Sequence, residues 1–112
     1  MNISIKSTHL PLISSIKQYA EEKVRGMEKY ISGPIEAKIE LERSRKHRSG
    51  EIFRAELMLI VGGKIMRAEA DGEDIYAAID LAIPKLREQI SKFKDRRATL
   101  QKRGARSAKR KT

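Results

Sequence analysis

Polar and apolar residues alternate from Asn2 to Lys6, which puts Ile3 and Ile5 on one face and predicts a short opening strand. A helix is expected next. Leu10 precedes Pro11, which a first helical turn tolerates, and Ile13, Ile16, Ala20, Val24, Met27 and Ile31 then recur every three or four residues. Lys17, Glu21, Arg25 and Glu28 take the opposite side, and Ser32-Gly33-Pro34 ends the segment. From Ile35 to Glu42 the alternation is strict, with Ile35, Ala37, Ile39 and Leu41 facing one way and Glu36, Lys38, Glu40 and Glu42 the other. The run Arg43 to Gly50 breaks the pattern and reads as a loop, after which Phe53, Ala55, Leu57 and Leu59 resume it in a second arm. Gly62-Gly63 marks a tight turn into a further strand, Ile65 to Ala70, closed by Asp71-Gly72.

The last helix is expected from Glu73 or Asp74, where acidic residues suit the positive end of the helix dipole. Tyr76, Ile79, Ile83, Leu86, Ile90 and Phe93 form its apolar stripe, so Tyr76 and Phe93 are assigned to the core and not to base stacking. Pro84 falls inside this helix. The apolar phase passes through it without a slip, which favours a kinked helix over two separate ones, although an interior proline costs ~3 kcal/mol. The resulting order is β-α-β-β-β-α, an α+β two-layer sandwich with a four-stranded, mainly antiparallel sheet and two helices on one face, similar to a double-stranded-RNA-binding domain. One domain is expected over residues 1–98, followed by a basic, disordered tail over 99–112 with no apolar periodicity.

Charge changes this picture from a generic small domain to one with a polyanionic partner. Met1 to Pro84 hold 13 Lys/Arg against 13 Asp/Glu, whereas Lys85 to Thr112 hold 12 against two, so the net charge of +10 arises at one end. Segregated like charge destabilises a compact state by self-repulsion, and dense negative charge on a partner offsets it; nucleic acid fits best. Lys85, Gln89, Lys92 and Arg96 have offsets of 0, 4, 7 and 11 along the second helix, a line about 16 Å long at ~1.5 Å per residue. Arg87, Lys94 and Arg97 flank it. The first helix adds Lys17, Lys23, Arg25 and Lys29 if the two helices pack side by side. Arg43, Arg45, Lys46, His47 and Arg48 form a second basic cluster, either a solvated hairpin loop or a second contact surface.

Nothing in the chain points to an enzyme. There is no Cys, and His9 and His47 are too few and too far apart to make a metal site or a catalytic base with a partner. Gly62-Gly63 has no helix after it to cradle a phosphate. No cofactor and no small-molecule substrate are expected. The start lacks both an export signal and an apolar run near the ~20 residues of a membrane span, so a cytoplasmic protein is expected.

Three stretches carry a family resemblance: Lys17 to Ile31 (KQYAEEKVRGMEKYI), Phe53 to Leu59 (FRAELML) and Ala68 to Arg97 (AEADGEDIYAAIDLAIPKLREQISKFKDR). The most specific part is Asp74-Ile75-Tyr76-Ala77-Ala78-Ile79-Asp80 followed by Lys85-Leu86 and Gln89-Ile90-Lys92. Over about residues 1 to 97 the chain resembles the ribosome hibernation promoting factor and ribosome-associated inhibitor family. The resemblance implies the same β-α-β-β-β-α order. It also implies a stationary-phase or stress protein, a monomer when free, that binds the small ribosomal subunit and its rRNA. Such a protein occupies the decoding channel and blocks mRNA and tRNA. Carried over by position, the RNA-contacting residues are Lys23, Arg25, Lys29, Lys85, Arg87, Lys92, Lys94 and Arg96. Pro84 and the basic tail depart from the family's pattern. Two other readings are a general double-stranded RNA-binding module and a protein-interaction module that modulates a transcription factor.

Overall fold

The computed structural model describes residues 1–33, 35–47 and 50–110, with side chains described for all of these except 45–47, 50–51 and 95–110. The order is β1 (Asn2–Thr8), α1 (Ser14–Arg25), β2 (Ile35–His47), β3 (Gly50–Val61), β4 (Lys64–Gly72) and α2 (Ile75–Arg110), with a 3-10 turn at Glu28–Tyr30. The four strands lie in the order β1-β2-β3-β4. β1 runs parallel to β2 from Asn2↔Glu36 to Thr8↔Glu42, and α1 supplies the crossover that a parallel neighbour needs. The other two pairings are antiparallel, so the sheet is mixed. Both residues of the β3–β4 turn have positive φ, 54° at Gly62 and 78° at Gly63, the two-residue hairpin geometry that glycine adopts without steric cost.

Strict alternation gives the sheet one apolar face. Ile35, Ala37, Ile39 and Leu41 of β2, Ala55, Leu57, Leu59 and Val61 of β3, and Met66, Ala68 and Ala70 of β4 are all buried. Ile16, Ala20 and Val24 of α1, Met27, and Ile75, Ala78, Ile79, Ala82, Leu86 and Ile90 of α2 complete the same core, so both helices cover that face. Small residues face each other beneath α2, with Ala55↔Ala70 paired in the sheet and Ala78 and Ala82 in the helix. This lets the layers approach closely. The tightest approach is at Gly72, where a Cβ would lie 2.6 Å from the Ala78 backbone nitrogen and 3.0 Å from the Ala77 carbonyl carbon. Gly72→Ala therefore has to push the start of α2 off the sheet. The expected loss is about 1–3 kcal/mol, read as a fall in melting temperature of roughly 4–8 °C for each kcal/mol; an unchanged melting temperature would refute this packing.

Several boundaries differ from the sequence pattern. α1 starts at Ser14, so Pro11 lies before the helix, and Ile13 is its extended N-cap, 54% exposed and not a core residue. The helix ends at Gly26, a weak helix former; Met27 reaches the core from the following turn, and Ile31 is extended (φ −133°, ψ 134°). The expected loop at Arg43 to Gly50 is mostly strand, with Arg43↔Phe53 and Ser44↔Ile52 paired and a register irregularity between Ser44 and His47. Polar side chains do not forbid backbone pairing, and here the ladder prevails. α2 begins at Ile75 because Asp74 caps it, its carboxylate accepting the Ala77 N–H at 2.8 Å. Ile75 takes the core position that the pattern gave to Tyr76, which is 37% exposed.

The helix is continuous through Pro84, as the unbroken apolar phase requires. It also runs through the segment expected to be a disordered tail, up to Arg110. Ala, Leu, Gln, Lys and Arg dominate 99–110, and all are good helix formers, so local propensity carries the backbone where no apolar stripe does.

Candidate nucleic-acid interface

α1 and α2 lie side by side and run the same way, as their contacts show. The Tyr76 hydroxyl donates to Ser15 Oγ at 3.4 Å, the Tyr19 hydroxyl donates to the Asp80 carboxylate, and Arg87 sits over the Tyr30 ring. Tyr19 and Tyr76 meet edge to face with centroids 4.9 Å apart. All three tyrosines of the chain thus line one seam between the helices. The hydrogen bond to Asp80, then desolvation, then the charge on Asp80 push the Tyr19 phenol up to about 12. A phenol raised in the fold favours the protonated folded state. Its stabilisation is complete below the ordinary value of 10.0 and is lost as pH rises through about 12. Wild type is therefore expected to lose more stability than Tyr19→Phe between pH 10 and pH 12 in thermal melts, whereas parallel curves would show that this hydrogen bond contributes nothing.

The basic residues divide between the two flanks of α2. Lys85 donates its Nζ to the Glu69 carbonyl at 3.1 Å, which points it down over the edge strand β4 and away from α1. Lys92, two turns further on, shares that flank and is paired with Glu88 at 3.4 Å. Arg87 points the other way, into the seam, and Lys94 follows it two turns later. The α1 side meets this second flank: Lys23 Nζ stands 5.3 Å from the Tyr19 ring centroid, and Lys29 Nζ stands 5.2 Å from that of Tyr30. Lys23, Arg25, Lys29, Arg87 and Lys94 are all exposed. The line Lys85-Gln89-Lys92 and the α1 cations therefore do not form one surface, because the line faces the far side of α2. The side chain of Arg96 lies outside the described residues, as do those of Arg45, Lys46, Arg48 and His47 in the hairpin.

The outer face of the sheet has a different character. Glu36, Glu40, Glu42, Glu56, Glu69 and Asp71 share it with Lys6, Lys38, Arg54 and Arg67, and Arg54–Glu69 and Arg67–Glu56 are ion pairs. A depression of about 200 Å³ there is lined by Thr8, Glu40, Glu42, Arg54 and Glu56, three carboxylates around one guanidinium. Such a face repels phosphate. Among the described residues, no group of three or more His, Cys, Asp and Glu could hold a metal ion, and no helix is long and apolar enough to cross a membrane.

The tyrosine seam was not legible as a site in the sequence, yet it left a signal. Tyr76, Asp80 and Arg87 are spaced by four and seven residues, the mark of one helical flank beside the core stripe.

Comparison with known proteins gives one concordant result. A family model described as Sigma 54 modulation protein / S30EA ribosomal protein matches residues 3–98. The chain is 29% identical over 94 residues to a ribosome hibernation promotion factor of Bacillus subtilis, an alignment covering 84% of this chain and 49% of that protein. It is 32% identical over 92 residues to one of Deinococcus radiodurans, covering 82% and 48%. The chain thus spans about half the length of the curated relatives it matches. Among solved structures, the N-terminal domain of Thermus thermophilus Protein Y is similar with a TM-score of 0.73 and 32% identity, covering 83% of this chain and 99% of that one. A ribosomal subunit interface protein from Coxiella burnetii shares the fold, with a TM-score of 0.71 at 20% identity, covering 85% and 99%.

Proposed function

The chain belongs to the sigma 54 modulation protein / S30EA ribosomal protein family, and from that premise we propose that it is a non-enzymatic ribosome hibernation factor. It binds the small ribosomal subunit by its helical layer, occupies the decoding channel and keeps mRNA and tRNA out. The observation that carries this reading is the convergence of Lys23, Lys29 and Arg87 on one helical seam, in a fold shared with proteins named for hibernation. The mechanism is steric. Phosphate contacts position the protein, the shape of folded RNA supplies specificity, and no bond is made or broken. It acts in the cytoplasm, where ribosomes are, as a monomer when free, under stress or in stationary phase. Lys23, Arg25, Lys29, Lys85, Arg87, Lys92, Lys94 and Arg96 contact rRNA.

The test is co-sedimentation with purified ribosomal subunits, alongside binding to a generic RNA duplex. Binding to the small subunit and weaker binding to the duplex are expected. Equal affinity for both would favour a general duplex-binding module. Binding to a transcription factor with no RNA and no salt dependence would favour a protein-interaction module.

The family match ends at residue 98 while α2 runs on to Arg110, and this basic extension makes a further prediction. Deleting 101–112 removes six of the 25 basic residues and no acid, so the fold should persist, binding should weaken moderately and its salt slope should become shallower. Identical titrations of full-length and truncated protein would show that the extension does not reach the ribosome. Complete loss would make it the principal anchor.

A further inference from the structure

We propose that Lys29, Tyr30 and Arg87 form a pre-ordered clamp for the phosphodiester backbone of RNA, with Tyr30 as the positioning residue that holds both cations. Lys29 Nζ and Arg87 Cζ lie 5.2 and 5.0 Å from the same ring centroid, one from the turn after α1 and one from α2. The ring face carries negative potential, which attracts each cation and offsets their mutual repulsion. Tyr30 itself is half-buried and packed against the core, so it offers a fixed platform to two long, exposed side chains.

What separates these two cations from the rest is the ring they share, and like Lys23, Arg25 and Lys94 they have no carboxylate partner among the described residues. Arg54, Arg67 and Lys92 are ion-paired and Lys85 is given to a backbone carbonyl, whereas among the described residues neither Lys29 nor Arg87 has an acidic partner. The acids next to them along the chain are occupied elsewhere, Glu28 by the amino group of Met1 at 3.1 Å and Glu88 by Lys92 at 3.4 Å. The pair is therefore ordered, exposed and without a counter-ion, which suits it to an incoming anion. Ordering rotamer-rich side chains is part of the cost of association, and a ring that orders them beforehand reduces it. The ring does this work without touching RNA, because its attraction is directed at the cations.

The inference rests on the ribosome-binding reading, and one set of titrations against purified small subunits separates the two. Tyr30→Leu, which keeps an apolar side chain against the core, is expected to weaken binding about tenfold. Its salt slope should be unchanged, because both cations still reach phosphates. Tyr30→Phe keeps the ring and should stay within about twofold of wild type. Lys29→Gln with Arg87→Gln should weaken binding and lower the log–log salt slope by about two. Tyr30→Leu added to that pair should have no further effect. A wild-type protein that does not bind subunits would overturn both readings. Wild-type binding with a Tyr30→Leu variant of equal affinity, or an equal loss from Tyr30→Leu with and without the cations, would overturn the clamp alone. A readout without mutation guards against misfolding: the Lys29 ε-methylene and Arg87 δ-methylene protons should be shifted upfield by the ring in NMR spectra of the free protein. Unshifted resonances would also overturn the proposal.

Discussion

Raising salt from 50 to 200 mM is expected to weaken binding to the small subunit by roughly 10³ to 10⁵, because a face making six to ten phosphate contacts releases that many condensed counterions. Four described cations lie on the seam side of the helical layer, Lys23, Lys29, Arg87 and Lys94, while Arg25 is exposed on the outer side of α1 and Lys85 and Lys92 occupy the far flank of α2. This supply matches the lower end of that range before the hairpin and the C-terminal extension are counted. The measurement is a set of sedimentation or fluorescence titrations at four or more salt concentrations, plotted as log affinity against log salt. A slope near zero would remove phosphate contacts as the basis of binding. The acidic outer face of the sheet should sharpen the dependence by excluding the opposite docking orientation, since Glu40, Glu42 and Glu56 would be driven against phosphates.

The sheet was legible in the sequence because its one buried face forces period-two patterning. Ile35 to Leu41 alternates without a fault and Ala55 to Leu59 with one, the outward Met58; the inward residues of both runs are buried, and Phe53 on the same face is half-buried. Helix ends were less legible, because they depend on single backbone events. Gly26 ends α1 early, and Asp74 fixes the start of α2 so that Ile75 takes the core position and Tyr76 turns toward α1. The basic residues were all visible as a composition, but their division was not. Lys85 and Arg87 are two positions apart, which on a helix means opposite flanks, and only the placement of α1 shows which flank joins Lys23 and Lys29. The pairing of β1 with β2 in parallel was likewise invisible, since alternation sets which face is buried and not which neighbour a strand takes.

That division makes two charge reversals unequal. Arg87→Glu with Lys94→Glu places two carboxylates in the seam beside Lys23 and Lys29, and is expected to reduce small-subunit binding by on the order of 10² or more, as like charge meets phosphate at a shared surface. Lys85→Glu with Lys92→Glu should reduce it less, about tenfold, because those two cations already have partners in the Glu69 carbonyl and Glu88 and lie on the flank over β4. Both double variants should remain folded. The four residues are exposed, and surface changes of this kind shift stability by about 0.5 kcal/mol or less. The lost Lys92–Glu88 pair is worth only ~0.3–0.5 kcal/mol. Binding titrations at one salt concentration, with thermal melts as the folding control, decide the matter. If the Lys85 and Lys92 pair proves the more damaging, RNA lies along the β4 flank of α2 and the tyrosine seam faces solvent. If neither pair matters, the helical layer is not the binding surface and the hairpin or the C-terminal extension takes its place.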